Sequence, residues 1–311
     1  MGQALRRPDR LPSLLAAARR RKIWSPQLLL SVAAGALGAA LVVTGVWLVL
    51  AQVRSGDENV PPYGSRISLA ESLKDGDCVV AEWPGVRFKG TPRLTLDLTC
   101  RAKALDGQVM AMVEAATDSE ARSHGAAQCE QQTQEIRAKL ADVRSFAVVP
   151  TRKGFKAAGG RIACLVLGAH GPLYGPLGSY RKLGTAFTDT ATMQKGDCLK
   201  TSSNRNARLV SCAGPHDEQV LGFTRLGSEV TLAEARKGSD AACSKDVPPR
   251  DYGFDQSIYT SGSWSSKGSW LSGTHFVVCT VRKQNGGTIE GSAFSTSAAT
   301  LPTGPAPPSS S

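Results

Sequence analysis

Thr117-Asp118-Ser119-Glu120-Ala121-Arg122 and Thr231-Leu232-Ala233-Glu234-Ala235-Arg236 each open with Thr-x-x-Glu, and each places its threonine twelve residues before a cysteine, Cys129 or Cys243. In such a capping box the threonine oxygen accepts from the backbone two or three residues on, while the glutamate reaches back to the threonine amide. Both stretches therefore predict the start of a helix with the cysteine on it. The match extends outward in both directions. Leu73-Lys74-Asp75-Gly76-Asp77-Cys78 parallels Met193-Gln194-Lys195-Gly196-Asp197-Cys198, and Asp106-Gly107-Gln108-Val109 parallels Asp217-Glu218-Gln219-Val220. Phe155 and Trp270 each stand nine residues before a further cysteine, which falls in a β-type apolar run, 162–166 or 276–281.

The eight cysteines thus fall into two sets, Cys78, Cys100, Cys129, Cys164 and Cys198, Cys212, Cys243, Cys279. Agreement of spacing and flanks is the signature of an internal duplication. The expected module has a strand at its first cysteine, a strand or hairpin partner at its second, a helix at its third and a closing strand at its fourth. The predicted fold class is α+β: two tandem disulfide-stabilised modules, each a small antiparallel sheet with one helix, following a transmembrane helix. Four cysteines allow three pairings; first with second and third with fourth would join strand to strand and helix to sheet. A zinc site is the alternative use of four cysteines, but no Cys-x-x-Cys knuckle occurs.

All eight cysteines follow an uncharged run at 28–53, dominated by Leu, Val, Ala and Gly and long enough to cross a bilayer as a helix. Seven basic residues against Asp9 alone precede it, which by the positive-inside rule puts the first 26 residues in the cytoplasm and the cysteines outside. An oxidising exterior suits an even cysteine count. A cleaved signal, with Val49 and Ala51 before the cut, is the competing reading and gives the same compartment. The basic cluster Arg19-Arg20-Arg21-Lys22 also fits anionic headgroups or a twin-arginine export signal. The expected organisation is a cytoplasmic segment at 1–26, an anchor at 27–53, a stalk at 54–68, modules at 69–170 and 191–284 joined by a linker at 171–190, and a disordered Ser/Pro/Thr-rich tail at 285–311. A transmembrane sensor would need a cytoplasmic output domain, for which 26 residues are too short.

With 37 Lys and Arg against 26 Asp and Glu the net charge is +11, but the basic excess is concentrated before the membrane run and spread thinly after it. That distribution lacks the clustered arginines and interleaved aromatics of a nucleic-acid groove, so nucleic acid is not an expected partner. No nucleophile elbow, Walker loop or His-Glu-x-x-His motif is present. His124, His170, His216 and His275 share no metal-ligand spacing, and no cofactor is expected. Leu96-Asp97-Leu98-Thr99-Cys100 resembles the strand bearing the nucleophile of sortases, but no histidine precedes Cys100 in the chain. The candidate partner-binding residues are His216 and Asp217, an imidazole among carboxylates, and Trp264 and Trp270 in an aromatic-rich stretch suited to core packing or to stacking on sugar rings. Trp264, between Ser263 and Ser265, is expected to be the most exposed of these.

Taken as a pattern, Gly196-Asp197-Cys198, Val210-Ser211-Cys212, Pro215-His216, Val220, Cys243, Trp270 and Cys279 resemble the septum-formation domain of actinobacterial envelope proteins. Residues 73–167 look like a degenerate copy that keeps the cysteines and has Leu105 where the second has His216. The resemblance implies a non-catalytic membrane-anchored protein of the envelope that works at the division site with division proteins or cell-wall polymer as partner. An exterior enzyme acting on wall or protein substrates is the alternative.

Overall fold

The computed structural model describes residues 60–64, 69, 71–100, 105–187, 189–203, 206–265 and 267–295. The expected cytoplasmic segment and membrane span, most of the stalk, and the tail beyond Ser295 lie outside these residues. Among the described residues no helix is long and apolar enough to cross a membrane.

The β-branched and apolar run after Phe155 becomes an inner strand of a five-stranded antiparallel sheet. Its strands are β1 (Cys78–Glu82), β2 (Arg93–Asp97), β3 (Gly107–Glu114), β4 (Val143–Val148) and β5 (Arg161–Gly168), in the order β2-β1-β3-β5-β4. Every residue of β5 after Arg161 is buried, because both faces of the sheet are covered. On one face Val79, Leu94, Val109, Leu165 and Leu167 pack against Tyr63, Leu69 and Leu73, which precede β1. On the other lies helix α1 (Asp118–Gln132), followed by the short α2 (Gln134–Arg137). Thr117 caps α1 by accepting from the Glu120 amide. The helix buries only Ala121, Gly125 and Cys129, one per turn. Small side chains at that spacing let it sit close on the strands; a Cβ at Gly125 would stand 2.9 Å from Ile162 Cδ1.

A second sheet repeats the order. Strands β6 (Cys198–Ser203), β7 (Asn206–Val210), β8 (Glu218–Arg225), β9 (Tyr259–Ser265) and β10 (Phe276–Lys283) run β7-β6-β8-β10-β9, with α3 (Leu232–Asp246) and the short α4 (Lys267–Leu271) between strands. Helix α3 has the full capping box at Thr231 and Glu234 and the same stripe, Ala235, Ser239 and Cys243. The disulfides are Cys78–Cys100, Cys129–Cys164, Cys198–Cys212 and Cys243–Cys279. Two tie a first strand to the turn that follows its hairpin partner, and two pin a helix to the strand beneath it. The fold is α+β: two antiparallel sheets, few helices and four bridges, each contributing about 2–4 kcal/mol by restricting the unfolded chain.

The chain after each fourth cysteine is part of the packed structure: the Gly/Pro-rich stretch from 171, expected to be a linker, and residues 285–295, expected to belong to a disordered tail, each return as a strap across their own sheet. In the first, the Leu173 amide donates to the Leu105 carbonyl (2.6 Å) and the Leu177 amide to Gln108 Oε1 (2.6 Å). In the second, Ile289 and His216 exchange two backbone hydrogen bonds (2.7 and 3.0 Å), and the Ala293 amide donates to Gln219 Oε1 (3.0 Å). The glutamine amides are also used, Gln108 Nε2 donating to the Gly76 carbonyl (2.9 Å) and Gln219 Nε2 to Ser292 Oγ (2.8 Å). Composition hides the straps because each needs only one or two apolar anchors, Leu173 and Leu177 or Ile289, among loop-forming residues. The linker then lies along the open edge of β7, with Gly184 and Phe187 donating to Leu209 and Ala207 and Leu209 donating to Thr185. That cover protects an edge that would otherwise invite pairing with another chain.

Ile289→Ala is expected to lower stability by about 2–4 kcal/mol, the usual cost of emptying a buried Ile site. Ending the chain at Gln284 should cost more, since it also strips Gln219 and the His216 backbone of their partners. Thermal unfolding under oxidising conditions reads both, and an unchanged midpoint for the truncated protein would contradict the strap's role.

Candidate functional site

The residues singled out from sequence all belong to the second sheet and its flanking segments, where they serve as structure, Trp264 in one apolar cluster and Trp270 in another. His216 precedes β8 with its side chain fully buried; Nδ1 lies 3.0 Å from the Gly214 carbonyl, and its backbone pairs with the strap residue Ile289. Leu105 fills the matching place in the first sheet, also buried, so this is a core position that takes either residue. Asp217 is held by Lys200 Nζ (2.7 Å), the Thr201 amide (2.8 Å) and the Thr201 hydroxyl (3.1 Å). Trp264 corrects the expectation of exposure. It is only 7 % exposed, because alternation along β9 turns it into the core beside Phe276 and Val278 while Ser263 faces Asp240 on α3. Its Nε1 donates to Glu218 Oε2 (2.8 Å), which also accepts from the Thr280 hydroxyl (2.7 Å). Trp270 donates Nε1 to the Val230 carbonyl (3.0 Å) and stacks on His275 with ring centroids 4.9 Å apart.

The Gly-Asp-Cys motif is likewise explained by packing. Gly76 and Gly196 have φ of +84° and +96°, and the rings of Tyr180 and Phe294 lie where a Cβ would project. Asp77 and Asp197 accept from the amides three residues earlier (2.8 Å each), closing the turn into the first strand. Cys100, the sortase-like position, is joined to Cys78 and has no thiol to ionise. Among the described residues no three His, Cys, Asp or Glu side chains gather as a metal site.

Asp106 and Asp217 occupy matching positions and titrate in opposite directions. Burial pushes Asp106 up, against the opposing pull of the Ala81 amide and Arg87. Burial also acts to raise Asp217, but the hydrogen bonds from Lys200 and Thr201 outweigh it and the pKa falls below the ordinary value.

What the sequence did not reveal is a cleft of about 530 Å³ where the first strap, the linker and the two sheets meet. Its walls include Thr99 and Gln108 of the first sheet's loops and strands, Tyr174, Tyr180 and Lys182 of the strap and the chain following it, Thr185 and Phe187 of the linker, and Leu209 of β7. The volume falls within the range of small-molecule sites. Arg181 also lines it, but its guanidinium is held in a two-pronged pair by Asp197 (2.5 and 2.8 Å). The sheets are fixed to each other nearby. Asp142 accepts from Arg225 (3.0 Å) and lies 3.1 Å from His170 Nδ1, and the Lys195 amide donates to the Lys139 carbonyl (2.9 Å). Tyr174 reaches α4, where Gly268 leaves room for its ring. Spacing could not announce this cleft, because its lining comes from the Gly/Pro-rich stretch that reads as a connector.

The family described as "Septum formation" matches residues 88–279, more than half of the chain. The match takes in both sheets, from the loop after β1 to Cys279 on β10, rather than the second sheet alone. No curated protein and no solved structure matches the chain.

The two aspartates should separate in a pH series of thermal midpoints. A carboxylate whose folded pKa is lowered contributes stability above its unfolded value, about 3.9, and loses it as pH falls through the folded value. Asp217→Asn is therefore expected to be less stable than wild type at pH 7 and to converge with it toward pH 3. A raised pKa has the reverse sign, with stability present below the unfolded value and lost as pH rises through the folded one, so Asp106→Asn should compare best with wild type at neutral pH and lose ground toward pH 4. Parallel pH curves for the two variants would contradict the assignment.

Proposed function

Because the chain belongs to the septum-formation family, we propose that it is a non-catalytic binding or scaffold protein of the cell envelope that acts where the septum forms. The family description ties it to septum formation, a step of cell division. In this reading residues 27–53 anchor it in the membrane with the amino terminus in the cytoplasm, and the cysteine-containing portion stands outside as two diverged copies of one module. The common strand order, the paired bridges, the matching straps and the shared glutamine contacts support a duplication. Four disulfides that use every cysteine support an oxidising compartment.

The observation that carries the binding role is the division of labour among side chains. All eight cysteines, His216, Asp217, Trp264 and Trp270 are committed to holding the two sheets, while a ligand-sized cleft is built where those sheets meet. The enzymatic alternative would have rested on Cys100 and His216, and these are bridged and buried respectively. The partner is a division protein or cell-wall polymer at the division site.

A fluorescent fusion to the full chain, imaged in dividing cells, should be enriched at the septum relative to the lateral wall. Even fluorescence around the cell would sink the division-site role.

A further inference from the structure

We propose that the cleft between the two sheets is a saccharide-binding site that takes a short, uncharged or weakly charged glycan. This rests on the envelope reading above and names its ligand class. Three aromatic residues, Tyr174, Tyr180 and Phe187, line the cleft together with Thr99, whose hydroxyl donates to Asp97 (2.7 Å), and Thr185. Sugar rings present the same mixture, apolar C–H faces edged by hydroxyl groups, so the two surfaces are complementary in kind. Tyr180 is 38 % exposed, and its other neighbour is the Cβ-less Gly76, which fixes the ring at the cleft wall.

Charge narrows the class. Phosphate-rich ligands such as nucleotides are held by clustered cations. Here the Arg181 guanidinium is spent on Asp197, which leaves Lys182, a cation with no ion pair among the described residues. Burial and then the carboxylates of Asp75 and Asp77 raise the Tyr180 phenol, so it stays a neutral hydrogen-bond donor, and acidic groups flank this side of the cleft. An acyl chain would cover the tyrosine and Thr185 hydroxyls without offering them a partner, at a cost for each one buried. A saccharide satisfies rings and hydroxyls together, with Lys182 available to a ring substituent such as an acetamido oxygen.

The test is calorimetric titration of the purified full-length protein in detergent with N,N′,N″-triacetylchitotriose. Saturable binding is expected, weakened about tenfold by Tyr180→Ala, the loss of one well-placed aromatic contact, and weakened also by Thr185→Val. Ile258→Ser, at an exposed residue outside the cleft, should bind as wild type. Unfolding midpoints show which variants remain folded. The proposal is overturned by absence of saturable binding, by wild-type affinity in both folded cleft variants, or by competition data in which a peptide of residues 296–311 occupies the cleft and the trisaccharide does not. Failure here with septal enrichment intact would leave the division-site reading standing, and glycan binding without septal enrichment would do the opposite.

Discussion

The distance between each helix and the sheet beneath it governs the rest of this structure. Cys129–Cys164 and Cys243–Cys279 join a helix to its sheet's inner closing strand, and a bridge of that kind tolerates only a narrow separation. The rest of the helix must then approach equally closely. That is why its buried stripe is Ala, Gly or Ser, and Cys, and why neither helix carries the usual broad apolar face. Helices so polar would gain little from burial on their own. The covalent link and the capped first turn do what an apolar stripe does elsewhere, and the large apolar side chains are left to the sheets and to the segments that cover their opposite faces.

A second constraint is the buried glutamine at the start of each third strand. Gln108 and Gln219 are almost fully enclosed, and an enclosed amide is costly unless its oxygen and nitrogen both find partners. The strap supplies the donor to the oxygen in both cases, and the nitrogen is met by Gly76 in one and Ser292 in the other. The core is thus specified partly by directional bonds, which fix where the chain must return after its last strand. The same strap that satisfies Gln108 carries Tyr174 and Tyr180 to the junction of the sheets.

Much of the framework was legible in the chain itself, since capping boxes and cysteine spacing are local or periodic signals. Thr117 and Thr231 announced their helices, and the runs at 162–166 and 276–281 announced the closing strands. Trp264 was misread because serines on either side suggest solvent, whereas a strand alternates and can hide every second residue between polar neighbours. His216 suggests chemistry because its neighbours in sequence are carboxylates, but in space its ring is fully buried and its backbone is paired with Ile289. The straps and the cleft were invisible for one reason. They depend on contacts between residues some 70 positions apart, made by a stretch whose composition resembles any loop.

The order in which the covers are laid has a consequence for how such an architecture can be cut and joined. The family match stops at Cys279, ten residues before the strap's anchor Ile289, and begins after the Tyr63, Leu69 and Leu73 cover of the first sheet. Between the sheets, the first strap runs directly into the segment that edges β7 and, through Phe187, Ala191 and Met193, covers the face of the second. Neither sheet is therefore a portable unit bounded by its own cysteines. A recombination event or an expression boundary placed at those cysteines would separate each half from part of its enclosure, which favours inheritance of the pair as one piece.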